Sequence, residues 1–368
     1  TLPRSRMKVL QILPELNSGG VERGTLELAG YLVERGHESV VISNGGSMVE
    51  ALEAAGARHI RMPVHHKSPK ALLQVRALRR ILAAERPSIL HLRSRLPAWI
   101  GYLARKRMDR DLQPVLISTI HGFNSVNAYS RVMTMAERVI AVSDCIREHV
   151  LRHYPGCPGK NIHVIPRGVD PEIYNPGHEP DDHWRSKWKE DFPELQGRKL
   201  VTLPGRMTRL KGHEDLFDIM GKLPTEFHGV VAGGTHPRKQ SYLKELQHRL
   251  SEMNLGKRVT FIGQRGDMRE VLTESSVVVS LSQSPESFGR TTLEALSLGT
   301  PVIGYQHGGV GEILRSCFPE GQVQKGDLGR VVQLIHDFAE NVPPIQAPGD
   351  FTLDRMLSST LSLYLDAV

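Results

Sequence analysis

Glu286-Ser287-Phe288-Gly289-Arg290-Thr291-Thr292-Leu293-Glu294-Ala295-Leu296-Ser297-Leu298-Gly299-Thr300-Pro301-Val302-Ile303 sets two carboxylates eight positions apart around one helix start. Leu293, Ala295, Leu296 and Leu298 recur at helical spacing, Gly299 and Pro301 end the helix, and Val302-Ile303 opens a short buried strand. Glu286 is thereby predicted in a loop at the helix N-terminus, and Glu294 about two turns inside. The unpaired amides near residues 288–290 can meet an anion or a polyhydroxylated ligand. A carboxylate accepts two hydrogen bonds from a vicinal diol, so this spacing suits a ligand that carries two sugars. Two glutamates flanking an exposed helix are by themselves also an ordinary surface feature.

Working outward, short apolar strands alternate with helical patterns along the chain. In the first half, strands are predicted at Lys8–Leu13, Ser39–Ser43, Ile89–Leu92, Val115–Thr119, Val139–Val142 and His163–Ile165, with helices near 21–35, 70–85, 96–107 and 143–153. In the second half, strands fall at Lys199–Leu203, His228–Ala232, Val259–Ile262, Val277–Leu281 and Val302–Gly304, with helices near 212–222, 238–253, 267–274, 289–298 and 327–339. Two such runs predict two doubly wound α/β domains with parallel sheets. Neither carries G-x-G-x-x-G, which disfavours a nicotinamide or flavin dinucleotide site. The Pro-rich, Trp-containing stretch 176–197 reads as a linker between domains at 1–175 and 198–350, helical around Trp184–Lys189. A final helix is expected within 351–368, with Leu353, Met356, Leu357, Leu361, Leu363 and Leu365 as its apolar face.

Five motifs follow these strands in order. They are Ser18-Gly19-Gly20-Val21-Glu22, His121-Gly122-Phe123, Ala141-Val142-Ser143, Ile165-Pro166-Arg167-Gly168-Val169-Asp170 and Gly205-Arg206-Met207-Thr208-Arg209-Leu210-Lys211-Gly212. Together with Glu286…Glu294, the set resembles the retaining nucleotide-sugar glycosyltransferases of family 4, which have the GT-B fold. The chain departs from their commoner pattern at Ser287, where Pro or Ala is frequent, and at Arg167, where Asn is frequent. The resemblance implies two Rossmann-like domains facing an interdomain cleft, with the last helix crossing back to the first domain. Ligands of open α/β sheets gather beyond the carboxyl ends of the strands, where every one of these motifs is predicted to lie.

Arg206 and Lys211, five positions apart, can clamp a diphosphate and neutralise it as a leaving group; by resemblance they bind the phosphates of the nucleotide-sugar donor. Gly19 and Gly20 would let backbone amides approach a phosphate or sugar at a helix start, or simply form a tight turn. The resemblance places His121 against the transferred sugar, Glu286 on sugar hydroxyls, and the Phe288, Gly289 and Arg290 amides on the sugar or diphosphate. It gives Glu294 the ribose diol, and Gln264 and Arg265 the region of the base. It further implies retention of anomeric configuration, no metal, and a UDP- or GDP-linked sugar as substrate. No Asp-x-Asp at a strand end and no Cys/His cluster offers a metal site.

Lys and Arg number 25 against 15 Asp and Glu over residues 1–175, and 22 against 25 in the remainder, within a net charge of +7. A basic first half predicts an anionic partner. Nucleic acid is disfavoured, since no binding motif or interleaved aromatics accompany the charge. An anionic glycan or glycolipid acceptor, or the inner membrane surface, fits the resemblance better, and lipopolysaccharide core or O-antigen assembly is the specific expectation. Arg93, Arg95 and Trp99 are the acceptor candidates. The helix Leu72–Arg86, with Arg76, Arg79, Arg80 and Arg86, reads either as membrane-facing or as core-packed with a solvated basic face. Three scattered cysteines, Cys145, Cys157 and Cys317, and the lack of any long apolar run predict a cytoplasmic chain without disulfides or membrane spans. Two alternatives remain at this level: a nucleotide-sugar epimerase of the same fold, and a non-catalytic nucleotide-sugar-binding protein.

Overall fold

The computed structural model describes residues 6–17, 19–65, 71–234 and 240–368. Ser18, residues 1–5, the expected helix residues 70, 238 and 239, and the side chain of Leu72 lie outside the described residues. The chain divides into two compact units, one running to Pro166 and including Asp354–Val368, the other spanning Arg167–Leu353.

The first unit contains β1 (Lys8–Ile12), α1 (Gly20–Glu34), β2 (Glu38–Ser43), α2 (Val49–Ala54), β3 (Arg58–Arg61), α3 (Ala71–Glu85), β4 (Ile89–Leu92), α4 (Arg95–Lys106), β5 (Val115–Ile120), β6 (Arg138–Ala141), α5 (Asp144–His153) and β7 (Ile162–Val164). Its seven strands are all parallel, in the order β3-β2-β1-β4-β5-β6-β7. Strands in such a sheet are covered on both faces, and β4 is buried at all four positions. α2 and β3 escape a sequence reading: β3 is an edge strand of sequence Arg-His-Ile-Arg, so it carries no apolar run to find.

α3 buries Val75, Leu78 and Leu82 and packs against α4, while Arg76, Arg79, Arg80 and Arg86 are exposed. Val75, Leu78 and Leu82 are thus committed to the core, while Leu73 stays exposed.

The second unit contains α6 (Asp182–Asp191), β8 (Lys199–Pro204), α7 (His213–Lys222), β9 (Phe227–Ala232), α8 (Gln240–Glu252), β10 (Val259–Gly263), α9 (Met268–Glu274), β11 (Val277–Ser280), α10 (Arg290–Ser297), β12 (Val302–Tyr305), α11 (Gly308–Cys317), β13 (Gln322–Val323) and α12 (Leu328–Glu340). Its six parallel strands run β10-β9-β8-β11-β12-β13. In each sheet the order reverses beside the first strand, between β1 and β4 and between β8 and β11, which is where open sheets make ligand crevices.

Residues 176–197 are not a free linker. Trp188 and Leu195 join Leu200, Val230, Ala232, Ile262 and Val271 in one cluster, with Trp184 and Phe192 packed against it. Burying two tryptophans and a phenylalanine ties α6 to the second sheet. The first unit accordingly ends at Pro166 rather than near 175. The Ile165–Asp170 motif lies at the point where the chain enters the second unit. There Val169 bridges Thr352, and its amide and carbonyl bond Phe351 O (3.0 Å) and Leu353 N (2.8 Å), so entering and leaving strands are clipped together. A Cβ on Gly168 would stand 2.1 Å from the Thr352 carbonyl carbon, so the approach requires glycine. The last helix, α13 (Leu353–Leu365), buries Met356, Leu357, Leu361, Leu363 and Tyr364; the Tyr364 hydroxyl meets His91 Nδ1 at 2.5 Å in the first unit. No helix among the described residues is long and apolar enough to cross a membrane.

Candidate active site

The second unit holds a pocket of about 540 Å³ beyond the carboxyl ends of β8, β9 and β10. Arg206, Gln264, Arg265 and Glu294, all singled out in the sequence, line it with Gly205, Thr208, Gly233, Gly234, Met268 and Thr291. Its floor is kept open by absent side chains. A Cβ on Gly233 would lie 1.8 Å from Gly205 O, and one on Gly234 would lie 2.9 Å from Gln264 Oε1. Backbone can therefore approach a ligand closely here. Arg206 is exposed on the pocket wall, with no ion pair among the described residues. Glu294, 8% exposed inside α10, accepts Arg290 Nε at 2.9 Å one turn earlier. Arg290 is thus occupied by Glu294, and what α10 offers a ligand is its amides.

Lys211 and Glu286 meet beside this pocket. Lys211 Nζ donates to Glu286 Oε1 at 2.7 Å, and the Ser282 hydroxyl donates to the same oxygen. The stem of Lys211 crosses Gly205, whose Cβ would lie 2.9 Å from Lys211 Cε. Burial works to raise the pKa of Glu286; the charge and hydrogen bond of Lys211, the Ser282 hydroxyl and the nearby His307 together overcome it and hold the carboxyl below its ordinary value. The cation expected on the diphosphate and the carboxylate expected on the sugar thus pair with one another.

The loop 282–289 is held from beneath. Gly309 N donates to Glu286 O at 2.8 Å, and a Cβ on Gly309 would lie 2.3 Å from Phe288 O. Phe288 is 6% exposed and tilts against Phe351 at 6.0 Å, so its ring anchors the loop while its backbone leads into α10. Gly289 adopts φ +100° at the helix N-cap, with Val310 Cγ2 2.6 Å from where a Cβ would stand. Asp215 accepts Gln283 Nε2 at 2.7 Å and the Tyr305 hydroxyl. Ser282, His307, Gly308-Gly309 and Asp215 went unmarked in the sequence. The visible signal was a pair of glycines soon after a strand, at 233–234 directly after β9 and at 308–309 where α11 opens beyond β12.

The remaining candidates belong to the first unit. His121 follows β5 and is half-buried. Gly19 is the N-cap of α1, in extended conformation, with its Cβ position 2.1 Å from Glu22 Oε2; a Cβ on Gly20 would meet nothing. The acceptor candidates are less available than their sequence position predicts. Arg93 is 4% exposed, and burial pulls its pKa down to about 10 against smaller opposing effects of Tyr364, Glu27 and Glu22. Arg95 Nη1 donates to Ser130 Oγ at 3.2 Å and its guanidinium lies 5.4 Å from the Tyr129 ring centroid, while Trp99 Nε1 donates to Tyr129 O at 2.8 Å. Arg95 and Trp99 therefore brace segment 129–130, and an exposed pair of arginines is not what this loop presents.

Residues 18–173 match the model of Glycosyltransferase Family 4, and residues 185–327 match that of Glycosyl transferases group 1. The chain belongs to the glycosyltransferases assembled from these two domains. A glycosyltransferase from Rickettsia africae superposes with a TM-score of 0.85 at 27% identity, covering 98% of each chain. Anabaena HepE, solved with UDP and glucose, superposes with a TM-score of 0.81 at 20% identity over 99% of this chain and 100% of its own. Among curated sequences, N-acetyl-alpha-D-glucosaminyl L-malate synthase of Bacillus anthracis is 24% identical over 337 residues, 87% of this chain and 82% of the relative. The fold is GT-B, with two Rossmann-like halves.

Proposed function

We propose that this glycosyltransferase moves a hexose-type sugar from a UDP- or GDP-linked donor to an anionic cell-envelope glycan or glycolipid, with retention and without a metal. Lipopolysaccharide core or O-antigen synthesis is the setting that this acceptor class suggests. The observation that carries the reading is the pocket of the second unit. It puts a cation (Arg206), a carboxylate (Glu294), glycine-lined backbone and a further guanidinium (Arg265) around one volume of nucleotide size.

In this reading Arg206 and Lys211 receive the diphosphate, and Lys211 leaves Glu286 to do so. The freed Glu286 carboxylate, to which the Ser282 hydroxyl still donates, then accepts hydrogen bonds from sugar hydroxyls. The bond from the anomeric carbon to the diphosphate oxygen breaks, with its electron pair leaving on that oxygen. An acceptor hydroxyl attacks the same face, and its proton passes to the departing diphosphate. The protein contributes orientation and stabilisation of the leaving group, by two cations and the α10 amides, rather than a nucleophile. The first unit, whose net charge is positive, supplies the acceptor surface.

Thermal-shift measurements with UDP, GDP, ADP and their sugars test the donor side. A rise in melting temperature with one nucleotide series is expected, and none with any of them defeats the reading. Proton NMR of the product's anomeric signal then checks retention.

A further inference from the structure

Arg265, on the pocket wall, is held by a polar constellation behind it. Arg265 follows β10 and points its guanidinium to the carboxylate of Asp267, with Nε to Oδ1 at 2.8 Å and Nη2 to Oδ2 at 2.6 Å. Asp267 Oδ2 also accepts the indole Nε1–H of Trp184 at 2.6 Å, from helix α6. The guanidinium carbon stands 5.7 Å from the ring centroids of both Trp188 and Phe192. Burial works against ionised Asp267, but the Arg265 and Trp184 hydrogen bonds and the Arg265 charge outweigh it and hold the carboxyl below its ordinary value.

Asp267 occupies the N-cap of α9, yet its side chain makes no capping bond. A capping aspartate ordinarily stabilises a helix start by about 1 kcal/mol, so turning it toward Arg265 and Trp184 forgoes a local gain. The two bonds fix Arg265 through Nε and one Nη, and leave Nη1 and the second Nη2 proton as outward donors in a plane set by the carboxylate. Arg265 lines the pocket together with the polar residues Arg206, Glu294 and Thr291.

We propose that Asp267, itself held by the Trp184 indole, is a positioning residue that aims Arg265 at the nucleobase of the donor and so sets base preference. This rests on the nucleotide-sugar reading of the pocket. A fixed donor-only fork matches a base edge that carries two adjacent acceptors, such as the O6 and N7 of guanine, and discriminates against an exocyclic amine presented to it. It also gives α6 a role: a helix that packs on the sheet through Trp188 extends Trp184 to hold the base-reading loop.

Calorimetry with UDP, GDP, ADP and inorganic pyrophosphate on the full chain tests this. Asp267→Asn and Arg265→Gln should each weaken the preferred nucleoside diphosphate roughly tenfold, the scale of one lost charge-assisted hydrogen bond. Both should narrow its margin over the other two nucleotides. Trp184→Phe, which keeps the ring that stacks on Trp188 at 5.1 Å, should weaken it about threefold. Pyrophosphate, which has no base, should bind all three variants as it binds wild type. The double variant Arg265→Gln/Asp267→Asn should bind nucleotide no worse than Arg265→Gln alone, because Asp267 acts through Arg265. Additive losses, or equal losses for pyrophosphate and nucleotide, overturn the inference. Nucleotide binding by wild type that all three variants retain overturns it alone, whereas a wild type that binds none of the nucleotides overturns the donor reading with it.

Discussion

Lys211→Ala removes the cation that meets Glu286 at 2.7 Å, and two separable consequences follow. The first is structural. Both side chains are 26% exposed, which places the pair between a buried bridge, where removing one partner costs about 3–5 kcal/mol, and a surface bridge worth about 0–1 kcal/mol. About 1–3 kcal/mol of stability should be lost at neutral pH. At roughly 2–4 °C per kcal/mol for a domain of this size, the melting midpoint falls by several degrees. The sign of the pH dependence is fixed by the direction of the Glu286 shift. Its folded pKa lies below the ordinary 4.5, so the stabilisation it contributes is complete above pH 4.5 and is lost as pH falls through the depressed folded value. The variant lacks the charge that depresses it. The gap in melting temperature between wild type and variant should therefore be widest above pH 4.5 and close below it. The second consequence is catalytic: kcat/KM for the sugar donor should drop by about 2–4 kcal/mol of transition-state stabilisation, roughly 30- to 1,000-fold. Thermal scans across pH and steady-state kinetics on one preparation measure both. An unchanged kcat/KM removes Lys211 from the mechanism, and a melting gap independent of pH refutes its control of Glu286.

Glu294→Gln should chiefly weaken free nucleotide, because the ribose is held alike before and during reaction, whereas Glu286→Gln should lower kcat more than nucleotide affinity; calorimetry with the bare nucleoside diphosphate that shows equal losses contradicts the assignment. Transfer should survive EDTA, and an absolute requirement for Mn²⁺ or Mg²⁺ restored by added cation would refute metal-independence. His213, fully buried at the start of α7 and edge-on to Tyr242, has its pKa lowered from 6.5 to about 4, chiefly by burial. Because the unfolded chain binds this proton more readily, His213 makes stability fall as pH drops from 6.5 toward 4. His213→Phe should flatten that limb of the stability curve in chemical denaturation, and an unaltered limb would assign the acid sensitivity elsewhere.

The alternation of short apolar strands with helical patterns determined two doubly wound halves, because strands of a parallel sheet are buried on both faces and must be apolar, while turn glycines and prolines punctuate them. The residues lining the second-unit pocket were legible for the same reason: Arg206, Gln264 and Arg265 follow strands, and Glu294 lies in the helix α10 that starts beside them, where such sheets hold ligands. What sequence spacing could not decide was who partners whom. Lys211 and Glu286 are 75 positions apart, and only folding brings the ammonium onto the carboxylate. Arg93 read as an exposed acceptor ligand because an arginine after a strand usually reaches solvent, yet the packing around β4 encloses it. Residues 176–197 read as a linker because proline and charge dominate their composition, but Trp188 and Leu195 are buried against Leu200, Val230 and Ile262. Local chemistry sets which elements form; burial, which sums over residues distant in the chain, sets which of their charges stay free to act.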